Sequence, residues 1–215
     1  MKKYLLLLAV ALCFARAPTA QAMVTFNYDY TFSGTFPAGE TPWLTATFEN
    51  LQTDSVRLTM STAGLSGNEF VSGWYFNLDP YVTPLSISLS PLDPADAAPS
   101  FLMRPTGLTG YKAGGDGYYD IVIVFPTSRL KRFSAGETVI VDFLATGLTE
   151  DYFRSLSSPG GDSQAGPFLS AAHVQGIGEY SGWVAPSSPV PEPSTLLLLA
   201  SGVVSLPLLR RRLHR

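Results

Sequence analysis

The chain has 215 residues, 14 Lys and Arg, 17 Asp and Glu, and a formal net charge of −3 at pH 7. The charge is unevenly distributed, because seven of the basic residues lie before residue 17 or after residue 209, whereas every acidic residue lies between Asp29 and Glu192. The segment Met23–Pro193 therefore has seven basic against 17 acidic residues, a net charge of −10. Such an acidic segment repels phosphate backbones, which argues against nucleic acid as a partner.

The first 22 residues have the three parts of a secretory signal peptide, in the expected order. Lys2 and Lys3 form a positive start, and the apolar run Leu5–Phe14 follows. Ala20 and Ala22 then flank Gln21 in the small-x-small pattern that signal peptidases cleave. We therefore predict a signal peptide over residues 1–22 and export of the chain.

The single cysteine, Cys13, lies inside this predicted signal peptide. Leu12 precedes it, where a lipoprotein cleavage site requires a small residue, so we do not interpret Cys13 as a lipid anchor. Cleavage after Ala22 would leave a mature chain that begins at Met23 and contains no cysteine. Without disulfides in an oxidising compartment, the stability of the domain must come from the packing of its core.

Residues 23–185 are predicted to form one all-β domain, a β-sandwich of jelly-roll type. Apolar side chains alternate with polar ones, or form short apolar runs, between Gly- and Pro-rich breaks. The pattern predicts strands at Val24–Phe32, Leu44–Phe48, Val56–Met60, Phe70–Leu78, Leu85–Leu89, Tyr119–Phe125, Thr138–Ala145, Phe168–Val174 and Tyr180–Val184. The runs Tyr119–Phe125 and Thr138–Ala145 are nearly continuous, which predicts strands buried on both faces.

One short helix is predicted within this β domain. Thr149 can cap its N-terminus, and Glu150 and Asp151 follow in the first turn, where negative charge is favourable. Residues 149–156, TEDYFRSL, then precede a Ser-, Pro- and Gly-rich loop. After the domain, residues 186–190 are predicted to be a linker.

The loop Gly114–Asp120 has the composition of either a metal site or a turn. Asp116 and Asp120, together with nearby carbonyl groups, could bind Ca²⁺, although the spacing is not that of an EF-hand. The alternative is a hairpin turn in which Gly supplies positive φ and Asp bonds its own backbone. Asp93 and Asp96, in a Pro-rich stretch, allow the same two interpretations. We predict no cofactor, with Ca²⁺ as the alternative.

His173 is the only histidine outside the two ends of the chain that processing would remove. A histidine can act as a general base or as a metal ligand. No cysteine or second histidine remains to complete a common zinc site, and no Gly-x-Ser-x-Gly nucleophile motif occurs. Since His173 alternates with Ala172 and Val174 in a predicted strand, we interpret it as a hydrogen-bonded structural residue.

The aromatic residues allow two interpretations. Trp43, Trp74 and Trp183 would be buried by default in a sandwich without disulfides. If they, or Tyr75, Tyr81 and Tyr118, formed an exposed strip instead, the rings could stack on sugars. We therefore predict the three tryptophans as the sugar-stacking residues of a carbohydrate-binding alternative.

The end of the chain combines an apolar run with a basic cluster. Thr195–Leu209 contains 15 uncharged residues and would rise about 22 Å as a helix, against about 30 Å for the hydrocarbon core of a bilayer. A basic cluster follows directly and would remain cytoplasmic while its long side chains extend the short span: Arg210, Arg211, Arg212 and Arg215. We predict a transmembrane helix at 195–209; the alternative is a buried helix with a basic tail.

The sequence around this run resembles a known sorting signal. Val190–Thr195 reads VPEPST, and the order of Pro191-Glu192-Pro193, apolar helix and arginine cluster resembles the PEP-CTERM sorting signal of Gram-negative bacteria. The resemblance covers about the last 26 residues, of which residues 191–215 are predicted to be the sorting signal. It implies recognition by an exosortase, a membrane protease-transpeptidase, with processing near the Pro-Glu-Pro tripeptide. It also implies sorting from the inner membrane to the cell envelope or the extracellular matrix, often alongside exopolysaccharide.

Three segments in the middle of the chain also show a resemblance to known proteins. Trp74–Pro80, Ala113–Ile121 and Ala171–Gly178 resemble segments of exported bacterial proteins that have the same tail. This resemblance implies one compact β domain and implies no particular activity.

These features support three functional hypotheses. The first is a non-enzymatic envelope or matrix protein, because two targeting segments flank a domain without a catalytic motif. The second is a carbohydrate-binding module for exopolysaccharide. The third is a hydrolase, which would require a pocket holding two carboxylates, or His173 beside a Ser or an Asp.

Overall fold

The computed structural model describes residues 22–79, 86–89, 100–103, 110–158, 160 and 165–187. Outside them lie the predicted signal peptide up to residue 21, the sorting signal, the span 195–209 and its arginines, and Tyr81, Asp93 and Asp96. Within them the chain forms thirteen strands: β1 Met23–Gly34, β2 Leu44–Gln52, β3 Ser55–Ser61, β4 Phe70–Phe76, β5 Ser86–Leu89, β6 Ser100–Met103, β7 Tyr111–Lys112, β8 Tyr118–Tyr119, β9 Ile121–Val124, β10 Phe133–Ser134, β11 Thr138–Leu144, β12 Ser170–Ile177 and β13 Tyr180–Pro186.

Eleven of these strands form one antiparallel sheet that curls into a sandwich. Its order is β5–β11–β3–β2–β1–β13–β12–β4–β9–β6, β10 also pairs with β4, and β7 and β8 form a separate hairpin. Phe48 on β2 and Phe76 on β4 have ring centroids 5.2 Å apart. Along the sheet, however, these strands are four spacings, about 19 Å, apart. The two halves of the sheet therefore face each other across a shared core.

Aromatic side chains fill this core. Phe48 is fully buried and stacks on Phe153 at 4.0 Å between ring centroids. Trp74 is also fully buried and meets Tyr28 edge to face at 5.1 Å. Polar atoms in the core form a continuous chain of hydrogen bonds, in which the Trp74 indole N–H donates to the Tyr28 hydroxyl, which pairs with Ser170 Oγ. Burial raises the pKa of Tyr28, which keeps this phenol neutral.

The all-β prediction is confirmed, because each predicted strand overlaps an observed one. The strand predicted at Tyr119–Phe125 appears as β9, which lies between β4 and β6 and has Ile121, Val122 and Ile123 buried. The short strands β6, β7 and β10 were not predicted. They contain two to four residues each, too few for an alternating pattern to appear.

Two local predictions need correction. Strand β11 is buried on one face only, because Val139, Val141 and Phe143 point inward while Asp142 forms a salt bridge of 2.8 Å with Arg57 on the outside. The predicted helix is a single 3₁₀ turn, Glu150–Phe153, and Thr149 makes no side-chain cap. Tertiary contacts also hold the turn in place, since Phe153 enters the core and Asn50 accepts a hydrogen bond from the Glu150 amide.

The last described residues continue the sheet past Ala185, where the domain was predicted to end. Strand β13 includes Pro186, which lies opposite Tyr28 on β1. Ser187 then donates from its amide and its hydroxyl to the Asp29 carboxylate, at 3.0 and 2.9 Å. In the described ranges no helix is both long and apolar enough to cross a membrane.

Candidate functional site

The outer face of the sheet, turned away from the core, presents a cluster of polar and aromatic side chains. On β12, Ala172 and Val174 belong to the core. His173 and Gln175 alternate with them and therefore point outward. On β13 the core residue Val184 likewise places Trp183 outward, directly opposite His173. Alternation along two neighbouring strands therefore brings one histidine and one tryptophan together on the outer face.

A β-bulge in β4 adds a serine to this cluster. His173 pairs with Gly73 and Val174 pairs with Val71, so Ser72 between them is the extra residue on β4. Bulges re-aim side chains, and here Ser72 Oγ lies 2.9 Å from His173 Nδ1. The sequence alternative of a histidine beside a serine is therefore realised, at a position that no motif marks.

The imidazole of His173 is held on both its edge and its face. Gln175 Nε2 lies 3.4 Å from Nδ1, and the ring stacks on Trp183 at 4.5 Å between centroids with an interplanar angle of 21°. Among the described residues the hydrogen-bonding partners of the ring are a serine and an amide, and neither is a carboxylate. Burial lowers the pKa of His173, which favours the neutral ring.

The lowered pKa of His173 predicts the direction of an NMR titration. The Hε1 resonance of His173 should titrate below about 6.5 in the folded protein and near 6.5 in urea. Because the unfolded chain binds the proton more readily, His173 contributes full stability above about pH 6.5 and loses it as pH falls through its folded pKa. The variant His173→Gln identifies the resonance. A folded pKa above the value in urea would contradict this prediction.

The glycine-rich loop folds over the cluster as the turn of the β7–β8 hairpin. Gly114 has φ +40°, and a Cβ built on it would lie 2.3 Å from Cγ of Trp183, so any side chain there would strike the indole. Gly114 thus supplies the positive φ of a hairpin turn, as the turn alternative for Gly114–Asp120 requires. Ala113 and Tyr119 of the hairpin are buried with Ala171, beside Tyr75 and the other aromatics of this face.

The two aspartates of this loop bond different partners. Asp116 is buried, and its Oδ2 accepts hydrogen bonds from Tyr119 Oη at 2.6 Å and Ser157 Oγ at 2.9 Å. Asp120 is half-buried and accepts from the Leu78 amide at 2.9 Å. Burial raises the pKa of Asp120, a shift that the amide bond opposes. Within the described ranges no three His, Cys, Asp or Glu side chains converge as metal ligands.

The three tryptophans lie in different environments. Trp74 is fully buried, and Trp43 is buried with its Nε1 donating to the Gly39 carbonyl at 2.9 Å. Trp74 has no exposed surface and only 7% of Trp43 is exposed, too little for a sugar ring to stack on. Trp183 is half-buried between His173 and the Gly114 turn. The structure therefore places the three predicted stacking residues apart, and two of them in the core.

A groove at one end of β4, β12 and β13 lies beside this cluster, with Gln175 common to both. It has a volume of about 910 Å³, and we call it the arginine groove. The charged, amide and aromatic side chains of its lining are Asn68, Phe70, Arg129, Arg132, Gln175, Glu179 and Tyr180, and Thr35 and Ser181 add two hydroxyl-bearing residues. No pattern described above predicts this groove. One feature could have indicated it, because residues 128–132 read SRLKR and contain three of the seven basic residues of the acidic segment.

Comparison with known proteins identifies the tail of the chain. Residues 189–213 match the family model described as the PEP-CTERM protein-sorting motif. The resemblance identified in the sequence is confirmed, and the chain carries a PEP-CTERM sorting motif, which marks an exported protein processed by an exosortase-type membrane protein. The match covers the tail and does not extend to the β domain.

The β domain itself has no comparably specific match. A search of curated proteins finds none that matches the chain. Among solved structures, a similar chain comes from biomass-sensing modules of Rsgi-like proteins of Clostridium thermocellum, described as resembling a family 3 carbohydrate-binding module of the cellulosome. The identity is 13%, over 80% of this chain and 99% of that chain, with a TM-score of 0.32. A score this low supports no argument about function.

Proposed function

We propose that this chain is a non-enzymatic protein of the cell envelope or extracellular matrix, exported as a membrane-anchored precursor and then processed near Pro191-Glu192-Pro193. The observation that carries the proposal is the sorting motif at residues 189–213. The β domain is compatible with it. Asp116 already accepts hydrogen bonds from two buried hydroxyl groups. His173 lies beside Ser72, as the hydrolase alternative requires, but it stacks on Trp183, and among the described residues no carboxylate orients its ring.

Intact mass spectrometry of the protein from its native host tests the processing. We expect a species that begins at Met23 and ends near the Pro-Glu-Pro tripeptide, and a longer species in a strain without the exosortase-type protease. Glu192→Ala should retain the tail, whereas Glu179→Ala, which removes an exposed carboxylate from the β domain, should be processed normally. A wild-type species that still ends at Arg215 in the presence of the protease would overturn the proposal in favour of a permanent membrane anchor.

A second function, binding of exopolysaccharide, is favoured by the arginine groove. Tyr180 in its wall is 69% exposed, and Asn68 and Gln175 offer amide groups beside it. Exposed aromatic rings and amides suit the apolar faces and hydroxyl groups of sugars. The groove thus replaces the buried Trp43 and Trp74 as the place where a polysaccharide could bind.

A further inference from the structure

We propose that the arginine groove binds an anionic polysaccharide, whose carboxylate or sulfate groups pair with Arg132 and Arg129 while a sugar ring packs on Tyr180. This inference rests on the proposed exopolysaccharide function and specifies its ligand. The groove is a local exception to the charge of the domain. Arg129 and Arg132 outnumber Glu179 in its lining, although the segment Met23–Pro193 has a net charge of −10.

Arg132 is already positioned for this role. Its Nε donates to the Thr127 carbonyl at 2.8 Å, and its guanidinium carbon lies 4.1 Å from the centroid of the Phe70 ring. Phe70 is buried, so the cation rests on a fixed surface. The terminal nitrogens of a guanidinium oriented in this way can form the paired hydrogen bonds that suit carboxylate and sulfate groups. Little additional side-chain entropy is lost on binding.

Neither groove arginine forms a salt bridge within the described part of the chain. The salt bridges found there join Arg57 to Asp142 and Arg154 to Asp151. Arg129 is exposed, and Arg132 is half-buried. Both cations can therefore attract an anionic group from solution.

Three glycines line the groove, Gly34, Gly176 and Gly178, with φ of +79°, +77° and +60°. A Cβ on Gly34 would lie 2.5 Å from the Ser181 carbonyl oxygen, and one on Gly176 would lie 2.3 Å from the Asn68 carbonyl oxygen, so both positions require glycine. A Cβ on Gly178 would meet no atom within 4 Å. Because glycine has no side chain, this part of the lining consists of backbone atoms, and an extended chain of sugars could lie against it.

The position of the groove favours a polymer over lipid headgroups. It lies at the Tyr180 end of β13, while the chain leaves the domain at the Pro186 end, about 20 Å away at a rise of about 3.3 Å per residue. The sorting motif begins at residue 189, close to that second end. The groove is therefore distant from the attachment of the membrane-directed tail, and it is accessible to matrix outside the cell.

The exposure of Leu130 is the one feature that would favour a membrane surface as the ligand of the groove. It is 90% exposed between Arg129 and Lys131. An apolar side chain flanked by cations suits an anionic lipid surface. Lipid vesicles are for this reason one arm of the test.

The test measures binding of the protein purified from its native host to three probes at low salt. These are alginate, a polyuronate; dextran, a neutral glucan; and vesicles of phosphatidylcholine and phosphatidylglycerol. We expect binding to alginate that weakens as salt is added, and little binding to dextran or vesicles. Arg132→Gln should weaken alginate binding by about tenfold or more, and Tyr180→Ala by about tenfold. Arg154→Gln, which removes the same charge away from the groove, should bind as the wild type does.

Each outcome bears on the proposal, provided that thermal melting shows the variants to be folded. If Arg132→Gln does not fold, Arg129→Gln and Tyr180→Ala carry the same test. Equal binding to dextran and alginate would overturn the anionic ligand and leave the exopolysaccharide function standing. Binding to vesicles alone would assign the groove to a membrane. No binding to either polysaccharide would overturn both carbohydrate proposals, while the mass measurement of the tail judges sorting independently.

Discussion

Replacing Phe48 with alanine is expected to lower the free energy of unfolding by about 3–5 kcal/mol. Phe48 is fully buried on β2, and its ring lies within 6.4 Å of four others. Phe76 belongs to the opposite half of the sandwich, and Phe153 to the 3₁₀ turn. Truncation would leave a cavity where the two halves of the sheet and the turn meet. Urea unfolding at fixed pH and temperature measures the loss.

Phe36→Ala is the matched control for this prediction. Phe36 is 68% exposed, so the same chemical change should alter stability by no more than about 0.5 kcal/mol. Since a domain of this size is stable by about 5–15 kcal/mol, the Phe48 variant should retain only part of its stability. Equal effects of the two substitutions would show that the halves of the sheet do not pack through Phe48.

Replacing Asp116 with alanine is expected to cost about 2–3 kcal/mol of stability. Its carboxylate accepts from Tyr119 and Ser157, both buried, and the substitution would leave the two hydroxyl groups without an acceptor. The carboxylate also joins the hairpin that covers Trp183 to the loop at Ser157. Local release of the hairpin should therefore appear as faster amide hydrogen exchange in residues 110–119.

Asp151→Ala is the control for Asp116→Ala. The Asp151 side chain is 67% exposed in its ion pair with Arg154, so its loss should cost no more than about 0.5 kcal/mol.

Added Ca²⁺ distinguishes the two interpretations of the loop Gly114–Asp120, a turn or a metal site. Millimolar Ca²⁺ should leave the melting temperature of the wild type unchanged. A Ca²⁺-dependent rise that disappears in Asp116→Ala would instead support the calcium alternative for this loop.

The strands could be predicted because burial on one face leaves a period of two in the sequence. Val24, Phe26 and Tyr28 alternate with polar residues and all three point into the core. The same rule failed for β11, where the apolar run includes Ile140 on the outer face. A continuous apolar run shows which residues are hydrophobic, but not whether a second layer covers them.

The cluster of Ser72, His173 and Trp183 on the outer face could not be predicted, because it depends on strand pairing that the local sequence does not reveal. His173 meets Ser72 because a bulge shifts the register of β4 against β12, across 101 positions of sequence. Trp183 and Trp74 have similar sequence surroundings, yet one lies against a hairpin and the other in the core. Which face of each strand is turned inward follows from the curl of the whole sheet. The arginine groove could not be predicted either, because four segments that are separate in sequence form it.

The pairing of β1 with β13 also determines how a precursor can be tethered. Tyr28 lies opposite Pro186, the last residue of the antiparallel strand β13, and Met23 at the start of β1 lies beyond this pair in the direction in which β13 runs. Both ends of the described β domain therefore lie at the same end of the sheet. A precursor that still has its predicted signal peptide could fold completely while both ends enter one bilayer, because neither tether has to pass around the domain. This geometry alone would not require either of the two predicted cleavages to precede folding.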